Sequence, residues 1–316
     1  MWRCVWLPRK KKLWLVYEGL FYHVRPAKGV SKIMTKETEY FENMYNVRRS
    51  VADHQHYFNL WAEKSKNFLK ADSHRSQLDV SYGEGGLENM DIFQPKGKSS
   101  SMLMFVHGGY WRSLDKQDHS FVAEPFVKAG TTVAVINYTL CPSVEISEIC
   151  RQVVSAGAFL YKHAKAIGFP NNKMYVAGHS AGGHLATMAL ACLWRQVDYR
   201  LPEKVFKGGL SISGIYDLRA LTRVPSVNAD LKLSIESAAR VSPAMMMPPT
   251  NAPLIVAVGG KEVGGFKDQH NTILNNWRDV IKEDIPCSQE HHFDILLKLA
   301  EENHPLCEGA LRMLQS

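Results

Sequence analysis

The chain has 316 residues, of which 45% are hydrophobic and 22% charged, with a formal net charge of +7. This composition is ordinary for a water-soluble globular protein, and the length suits one large α/β domain or two small ones. Basic residues cluster only at 9–12, and no aromatic-interleaved basic groove accompanies them. We therefore expect no nucleic-acid partner.

The cysteines and histidines bear on metal and redox chemistry. Six cysteines are scattered without a Cys-x-x-Cys or other zinc-like spacing, and thirteen histidines include no His-Glu-x-x-His. Such spacing is typical of reduced thiols in a cytoplasmic protein rather than of a disulfide framework or a metal site. We expect no metal and no cofactor.

Residues 1–33 differ from the rest of the chain. The stretch 13–24 is apolar and aromatic, but it carries Glu18 and His23 and is too short to span a bilayer. No small-residue cleavage site follows it. Three interpretations stay open: an extension of little function, a membrane-surface segment, or an over-long gene start with Met34 as the natural one. We predict an N-terminal extension over 1–33, a single domain over 34–316 and no stable membrane insertion.

The first part of the predicted domain combines a helical segment with a hairpin. Residues 35–72 read as helical and polar, with aromatics spaced through them and no Gly or Pro. Residues 77–83 and 88–94 alternate polar and apolar side chains around several glycines, which predicts an antiparallel hairpin.

The central part of the chain alternates strand and helix patterns. Helices are predicted over 146–166 and 269–282. Five short apolar runs read as strands buried on both faces: 102–106, 132–136, 174–177, 210–213 and 254–258. This alternation predicts an α/β fold with a mostly parallel sheet covered by helices on both faces, and the hairpin would add antiparallel edge strands. Residues 217–252 are expected to form either a lid over the strand tips or a connecting helix and loop.

The strongest motif is Gly-His-Ser-Ala-Gly at 178–182, between a predicted strand and a predicted helix. A serine between glycines on such a turn is typical of the nucleophile elbow of α/β-hydrolases. The pattern predicts the α/β-hydrolase fold, with Ser180 as the nucleophile.

A second motif, His-Gly-Gly-Tyr-Trp at 107–111, follows another predicted strand. Glycines at a strand exit allow backbone N–H groups to face a developing oxyanion. The predicted oxyanion hole therefore consists of Gly108 or Gly109 together with Ala181, the residue after the nucleophile. Tyr110 and Trp111 would either line the substrate pocket and stack on an aryl ring or pack against neighbouring helices.

The other two members of the triad should follow in the order acid, then histidine. Glu262 is the first carboxylate after the last of the five apolar runs, and Asp268 is the alternative. His292 is the favoured base because it lies in a turn that opens an amphipathic helix; His291 and His304 are the alternatives.

Three further histidines have structural interpretations. We expect His107 to brace the oxyanion loop through side-chain hydrogen bonds and His179 to point away from the base. His184, at the start of the helix after the elbow, is expected to be a packed or capping residue.

Several stretches in order carry a resemblance to a known family. They are Tyr45-Asn46-Val47-Arg48, Tyr82-Gly83, Met90-Asp91-Ile92-Phe93, and the segments 107–111, 178–186 and 292–293. Over about 35–300 the chain resembles the kynurenine formamidase (arylformamidase) branch of the α/β-hydrolases. The resemblance implies a Ser–Asp–His triad, no metal, and hydrolysis of N-formyl-kynurenine to kynurenine and formate in tryptophan breakdown. Ser180 and His292 match family positions, whereas this chain has Glu262, beside Lys261, where the family has an aspartate.

The leading hypothesis is therefore a metal-independent serine hydrolase acting on a small aryl-formamide. An aryl or short-chain ester would meet the same requirements, so a carboxylesterase is the alternative. A catalytically inactive hydrolase fold kept as a binding module is the third hypothesis. A homodimer is compatible with the sequence.

Overall fold

A computed structural model describes residues 35–71 and 74–315, together with three short strands nearer the N-terminus. The chain divides into two compact units, Met1–Glu37 and Thr38–Ser316. In the first unit β1 (Arg3–Trp6), β2 (Leu13–Tyr17) and β3 (Leu20–His23) pair as an antiparallel meander. Met34, the natural start in one of the three interpretations, lies outside the described residues. Every helix in the described ranges is too short or too polar to cross a membrane.

Three helices precede the main sheet: α1 (Lys36–Tyr45), α2 (Val47–Ser50) and α3 (His54–Lys70). The segment is helical as predicted, but it is broken at Asn46 and again at 51–53. Asn46 leaves the helical conformation and caps α2, because its Oδ1 accepts a hydrogen bond from the Arg49 N–H. Polar side chains that cap in this way interrupt a helix without Gly or Pro.

The second unit is built on an eight-stranded sheet. Its strands are β4 (His74–Ser81), β5 (Asn89–Pro95), β6 (Ser101–Val106), β7 (Thr131–Ile136), β8 (Met174–His179), β9 (Gly209–Ile212), β10 (Leu254–Gly259) and β11 (Ile281–Cys287). The spatial order is β11-β10-β9-β8-β6-β7-β5-β4, parallel except for β4 and β5, which form the antiparallel edge. The predicted hairpin, the five predicted strands and the mostly parallel sheet are confirmed.

One predicted element ends earlier than expected. The helix predicted over 269–282 is α10 (Gly264–Asn276), and the chain then enters the edge strand β11. Side chains of β11 alternate between partly or fully buried and exposed positions. Pro286 is tolerated there because β11 pairs on one side only. This strand is not a continuous apolar run in the sequence, because residues 282–284 are charged.

The remaining helices lie around the sheet or in the connections between its strands. They are α4 (Glu124–Lys128), α5 (Ile146–Ile167), α6 (Ala181–Leu190), α7 (Trp194–Val197), α8 (Pro225–Leu231), α9 (Ile235–Arg240), α11 (Asp294–Leu299) and α12 (Pro305–Gln315). Side chains of β6, β7 and β8 are fully buried between the layers, as parallel strands require. Because parallel strands end at one edge, the loops after β6, β8, β10 and β11 meet there.

The segment 217–252 contains α8, α9 and two short 3₁₀ helices. It contacts the N-terminal helices through Ser226, which hydrogen bonds to the Glu42 carboxylate, and it contacts the loop after β6 through Asp230, 2.6 Å from Arg112. These contacts attach the segment beside the strand tips. Its role as a lid stays a prediction.

The cysteines that the structure describes are free thiols, namely Cys141, Cys150, Cys192, Cys287 and Cys307. The side chain of Cys4 lies outside the described residues. Burial raises the pKa of the Cys150 thiol to about 12, so this group is protonated at neutral pH.

Candidate active site

The turn between β8 and α6 holds Ser180 in a strained conformation. Its φ of 57° and ψ of −119° lie in a region that L-residues seldom adopt. Small residues on either side are required by the packing. A Cβ on Gly182 would lie 1.9 Å from the carbonyl oxygen of Val106, and one on Gly178 would lie 2.1 Å from that of Gly182. The strained serine and the close backbone packing are those of a nucleophile elbow.

Ser180, His292 and Glu262 form a continuous hydrogen-bonded row. The Ser180 Oγ lies 3.0 Å from His292 Nε2, and His292 Nδ1 lies 2.6 Å from Glu262 Oε2. All three side chains are buried. Since a carboxylate only accepts, Nδ1 carries the proton, and Nε2 is left as the acceptor for the serine hydroxyl.

The second carboxylate oxygen of Glu262 is also satisfied. Its Oε1 accepts hydrogen bonds from the Gly259 N–H at 2.9 Å and from the Ser213 hydroxyl. A buried charge with this many donors is held in one orientation. Glu262 lies three residues beyond Gly259, the last residue of β10, and its side chain folds back toward that glycine. This path accommodates the longer side chain of a glutamate.

The alternative residues lie elsewhere. Asp268 is exposed on α10. His291 contacts Asp294, with 3.4 Å between Nε2 and Oδ2, and His304 contacts Glu290 at 3.5 Å. The structure thus brings Glu262 and His292, rather than these three alternatives, to the serine.

The loop after β6 places two glycines against the elbow. Gly109 has a φ of +105°, and a Cβ there would lie 2.0 Å from the Ser113 carbonyl oxygen, so only glycine fits. His107 Nδ1 donates to the Gly108 carbonyl at 2.8 Å, and the Tyr138 hydroxyl donates to the His107 carbonyl at 2.8 Å. The expected bracing role of His107 is confirmed. Burial lowers its pKa to about 4, so the ring is neutral.

Three N–H groups, at the elbow and in the loop after β6, are the candidate oxyanion donors. Within the described ranges, the N–H groups of Gly108, Gly109 and Ala181 donate to no protein acceptor. Ala181 is the first residue of α6, where the N–H groups have no intrahelical partner. The helix dipole adds a positive potential at the same point. These are the donors that the two motifs predict.

Tyr110 and Trp111 separate in the structure. Tyr110 lines the recess above Ser180, and its hydroxyl donates to the Tyr45 carbonyl. Trp111 is fully buried, and its Nε1 donates to His184 Nδ1 at 3.2 Å. The expectation that Trp111 contacts substrate is therefore wrong, because the indole packs inside the fold. His184 is a packed residue, as expected.

The recess over Ser180 has a mostly aromatic wall and is narrow, with a cavity volume of about 20 Å³. Phe58, Trp61, Tyr110 and Phe293 contribute the aromatic side chains, and Arg48 is the cation among the lining residues. α2 and α3 therefore supply one wall. Apart from Tyr110, the sequence did not indicate that these side chains lie at the site, although the segments 45–48 and 292–293 belonged to the family resemblance.

His179 also departs from its expected role. Its imidazole lies against that of His292, with 4.8 Å between ring centroids, and its Nε2 donates to the His292 carbonyl. The expectation that His179 points away from the base is wrong. His179, the residue before Ser180, thus supports the loop that carries His292.

The fold and the elbow define an α/β-hydrolase, and comparisons with known proteins agree. The family model described as BD-FAE matches residues 90–261. Kynurenine formamidase from Salmo salar is 32% identical over 253 residues, 75% of this chain and 81% of that one. Kynurenine formamidase from Danio rerio is 32% identical over 252 residues, with the same coverage. The chain belongs to the kynurenine formamidase family.

Solved structures show the same fold. A protein from Silicibacter sp. TM1040, described as a "putative thioesterase", superposes with a TM-score of 0.75 at 32% identity, covering 87% of this chain and 98% of that chain. Esterase B from Lactobacillus rhamnosis superposes with a TM-score of 0.64 at 15% identity, covering 86% of this chain and 95% of that chain. The chain is thus a hydrolase of the formamidase and esterase group.

Proposed function

We propose that this protein is a serine hydrolase that converts an aryl-formamide such as N-formyl-kynurenine into kynurenine and formate. The observation that carries the proposal is the row from Ser180 Oγ through His292 to the Glu262 carboxylate, with contacts of 3.0 and 2.6 Å. A hydroxyl aligned with a base whose tautomer is set by a carboxylate is the arrangement that nucleophilic acyl transfer requires.

In the first half-reaction, His292 Nε2 takes the proton of Ser180 while Oγ bonds to the formyl carbon. Negative charge moves to the formyl oxygen, where the N–H groups of Gly108 or Gly109 and Ala181 receive it. Each such donor contributes about 10²–10³ in rate. The C–N bond then breaks, His292 returns the proton to the departing aniline nitrogen, and a formyl ester remains on Ser180.

In the second half-reaction, water loses a proton to His292 and attacks the formyl ester. The bond between Oγ and the formyl carbon breaks, Ser180 regains its proton from His292, and formate leaves. Glu262 keeps the Nδ1 proton directed away from the serine throughout and stabilises the imidazolium formed in each step. The proposed chemistry uses no metal, so a chelator should leave turnover unchanged.

The substrate class is supported by the aromatic lining of the recess and by the relatives. A formyl group is small enough for a narrow acyl site, and an arylamine leaves more readily than an alkylamine. Phe58, Trp61, Tyr110 and Phe293 provide faces and edges for an aryl ring. The two relatives described above, whose matches each cover 75% of this chain, are kynurenine formamidases.

The test is Ser180→Ala assayed on N-formyl-kynurenine. We expect kcat/KM to fall by about 10⁴-fold or more while circular dichroism and Tm stay near wild type. A fluorophosphonate probe should label the wild type and not the variant. A folded Ser180→Ala protein with near wild-type turnover would overturn the proposal. A wild type that neither turns over substrate nor takes the probe would support the binding-module hypothesis.

A carboxylesterase is the second candidate, favoured by the 32% identical structure described as a "putative thioesterase". Esters and formamides share the tetrahedral intermediate, so the same site would serve both. Comparing kcat/KM for N-formyl-kynurenine with that for p-nitrophenyl acetate and a short-chain thioester separates the two. A preference for N-formyl-kynurenine supports the formamidase, and a preference for either acyl ester supports the esterase.

A further inference from the structure

Arg48 places a cation in the recess that contains Ser180, and no carboxylate of the described residues pairs with it. The side chain extends from α2, is half-buried and lines the recess together with Ser180 and His292. Over the ranges that the structure describes, it takes part in no ion pair with a carboxylate. A half-buried charge without a counterion is unfavourable unless a ligand supplies one.

The guanidinium is held in place by neutral contacts. One Nη2–H donates to Ser113 Oγ at 2.8 Å, and the guanidinium carbon lies 5.5 Å from the centre of the Phe58 ring. These contacts fix the orientation of the side chain but use one of its five N–H donors. The remaining donors have the geometry for a planar, two-oxygen acceptor.

The neighbouring cation, Arg112, has a carboxylate partner, unlike Arg48. Arg112 contacts the Asp230 carboxylate at 2.6 Å and the Ser226 carbonyl at 2.7 Å, so its charge is compensated. Burial and the charge of Arg112 both lower the pKa of Arg48. Because an arginine has a very high pKa, its side chain still carries its positive charge at neutral pH. The positive potential at the recess is therefore uncompensated at Arg48.

We infer that Arg48 binds the carboxylate of the substrate, and that it selects aryl-formamides whose leaving group carries a carboxylate-bearing arm. The inference rests on the proposed function and deepens it. The formyl end would lie at Ser180, the aryl ring against the aromatic wall, and the carboxylate on the guanidinium. Arg48 then acts as a specificity residue that takes no part in bond making or breaking.

The test compares two formamides that differ in the charged groups they carry. N-formyl-kynurenine carries a carboxylate and an ammonium group on its amino-acid arm, and 2′-formamidoacetophenone is the same aryl-formamide without that arm. For Arg48→Gln we expect the loss in kcat/KM on N-formyl-kynurenine to exceed the loss on the neutral compound by about 10–100-fold, mainly through KM. Arg48→Lys should recover part of the difference, because it restores the charge without the planar fork.

A control is needed because Arg48 also contacts the oxyanion loop. Ser113 Oγ donates in turn to the Gly109 carbonyl at 3.0 Å, so losing Arg48 could disturb that loop. Ser113→Ala removes this contact and keeps the cation. We expect it to reduce kcat/KM on the two formamides by the same factor.

Two adverse outcomes are distinguishable. An active wild type whose Arg48→Gln variant loses equally on both compounds would overturn this inference alone and leave the proposed function intact. A wild type that hydrolyses neither formamide would overturn the proposed function and this inference with it.

Discussion

The imidazole of His179 donates from Nε2 to the main-chain carbonyl oxygen of His292 over 2.8 Å. The residue before the nucleophile thus holds the loop that carries the base, which comes from 113 positions further along the chain. Burial, followed by the proximity of His292, lowers the pKa of His179 well below its usual value. The ring is therefore a neutral donor, and the packing of Trp61 against its edge keeps it in place.

Replacing His179 should reduce turnover without weakening substrate binding. In His179→Leu the His292 carbonyl loses its buried donor, and we expect kcat to fall about tenfold, which corresponds to about 1.4 kcal/mol, with KM little changed. Steady-state kinetics on N-formyl-kynurenine measures the split. His179→Gln restores an N–H donor and should retain more activity. Equal losses in the two variants would mean that packing, rather than the hydrogen bond, explains the effect.

The acid of the triad gives a second prediction. In Glu262→Gln the amide can donate to Nδ1, which would place the imidazole proton on Nε2 and leave no acceptor for Ser180. We expect kcat to fall by about 10³–10⁴-fold, the scale found when a triad carboxylate becomes an amide. Asp268→Asn, on the exposed face of α10, is the matched control and should be near normal. A severe defect in Asp268→Asn beside an active Glu262→Gln would move the role to Asp268.

The local patterns in the sequence predicted much of this arrangement. A strand, a glycine-flanked serine and a helix form a contiguous motif, so the elbow could be located without tertiary information. Chain order narrowed the acid and the base to a few residues, and the structure brings Glu262 and His292 to Ser180.

Residues that reach the site through long-range packing could not be found in this way. Arg48 contacts Ser113 across 65 positions, and His179 contacts His292 across 113. Such contacts follow from how α2, α3 and the loop after β11 fold over the strand ends. The choice between the two interpretations of Trp111 could not be made for the same reason, since its indole hydrogen bonds to His184, 73 positions away.

The close packing at the elbow predicts a strong effect of one methyl group. In Gly182→Ala the new Cβ would lie 1.9 Å from the Val106 carbonyl oxygen, so β6 and α6 must separate. We expect a loss of about 3 kcal/mol or more in the free energy of unfolding, measured by urea denaturation. Gly86→Ala is the control, because nothing lies within 4 Å of its added Cβ. If the two variants were equally stable, the backbone contact would not limit this position.

Buried neutral histidines predict a loss of stability in acid. Burial lowers the pKa of His107, His119 and His184 to about 4, whereas an unfolded histidine has a pKa near 6.5. Between these values the unfolded chain binds more protons than the folded one. The contribution to stability is therefore fully present above pH 6.5 and is lost as the pH falls toward 4.

His184 allows this prediction to be tested at one residue. Its Nε2 donates to the Val241 carbonyl at 2.7 Å and its Nδ1 accepts from the Trp111 indole, so a second ring proton would oppose the indole N–H. In His184→Gln an amide can make both hydrogen bonds without titrating. The slope of unfolding free energy against pH should therefore flatten by up to about 1.4 kcal/mol per pH unit between pH 4 and 6.5. His163→Gln, at an exposed site on α5, is the matched control. Parallel curves for wild type and His184→Gln in urea titrations across this range would show that His184 is not the titrating group.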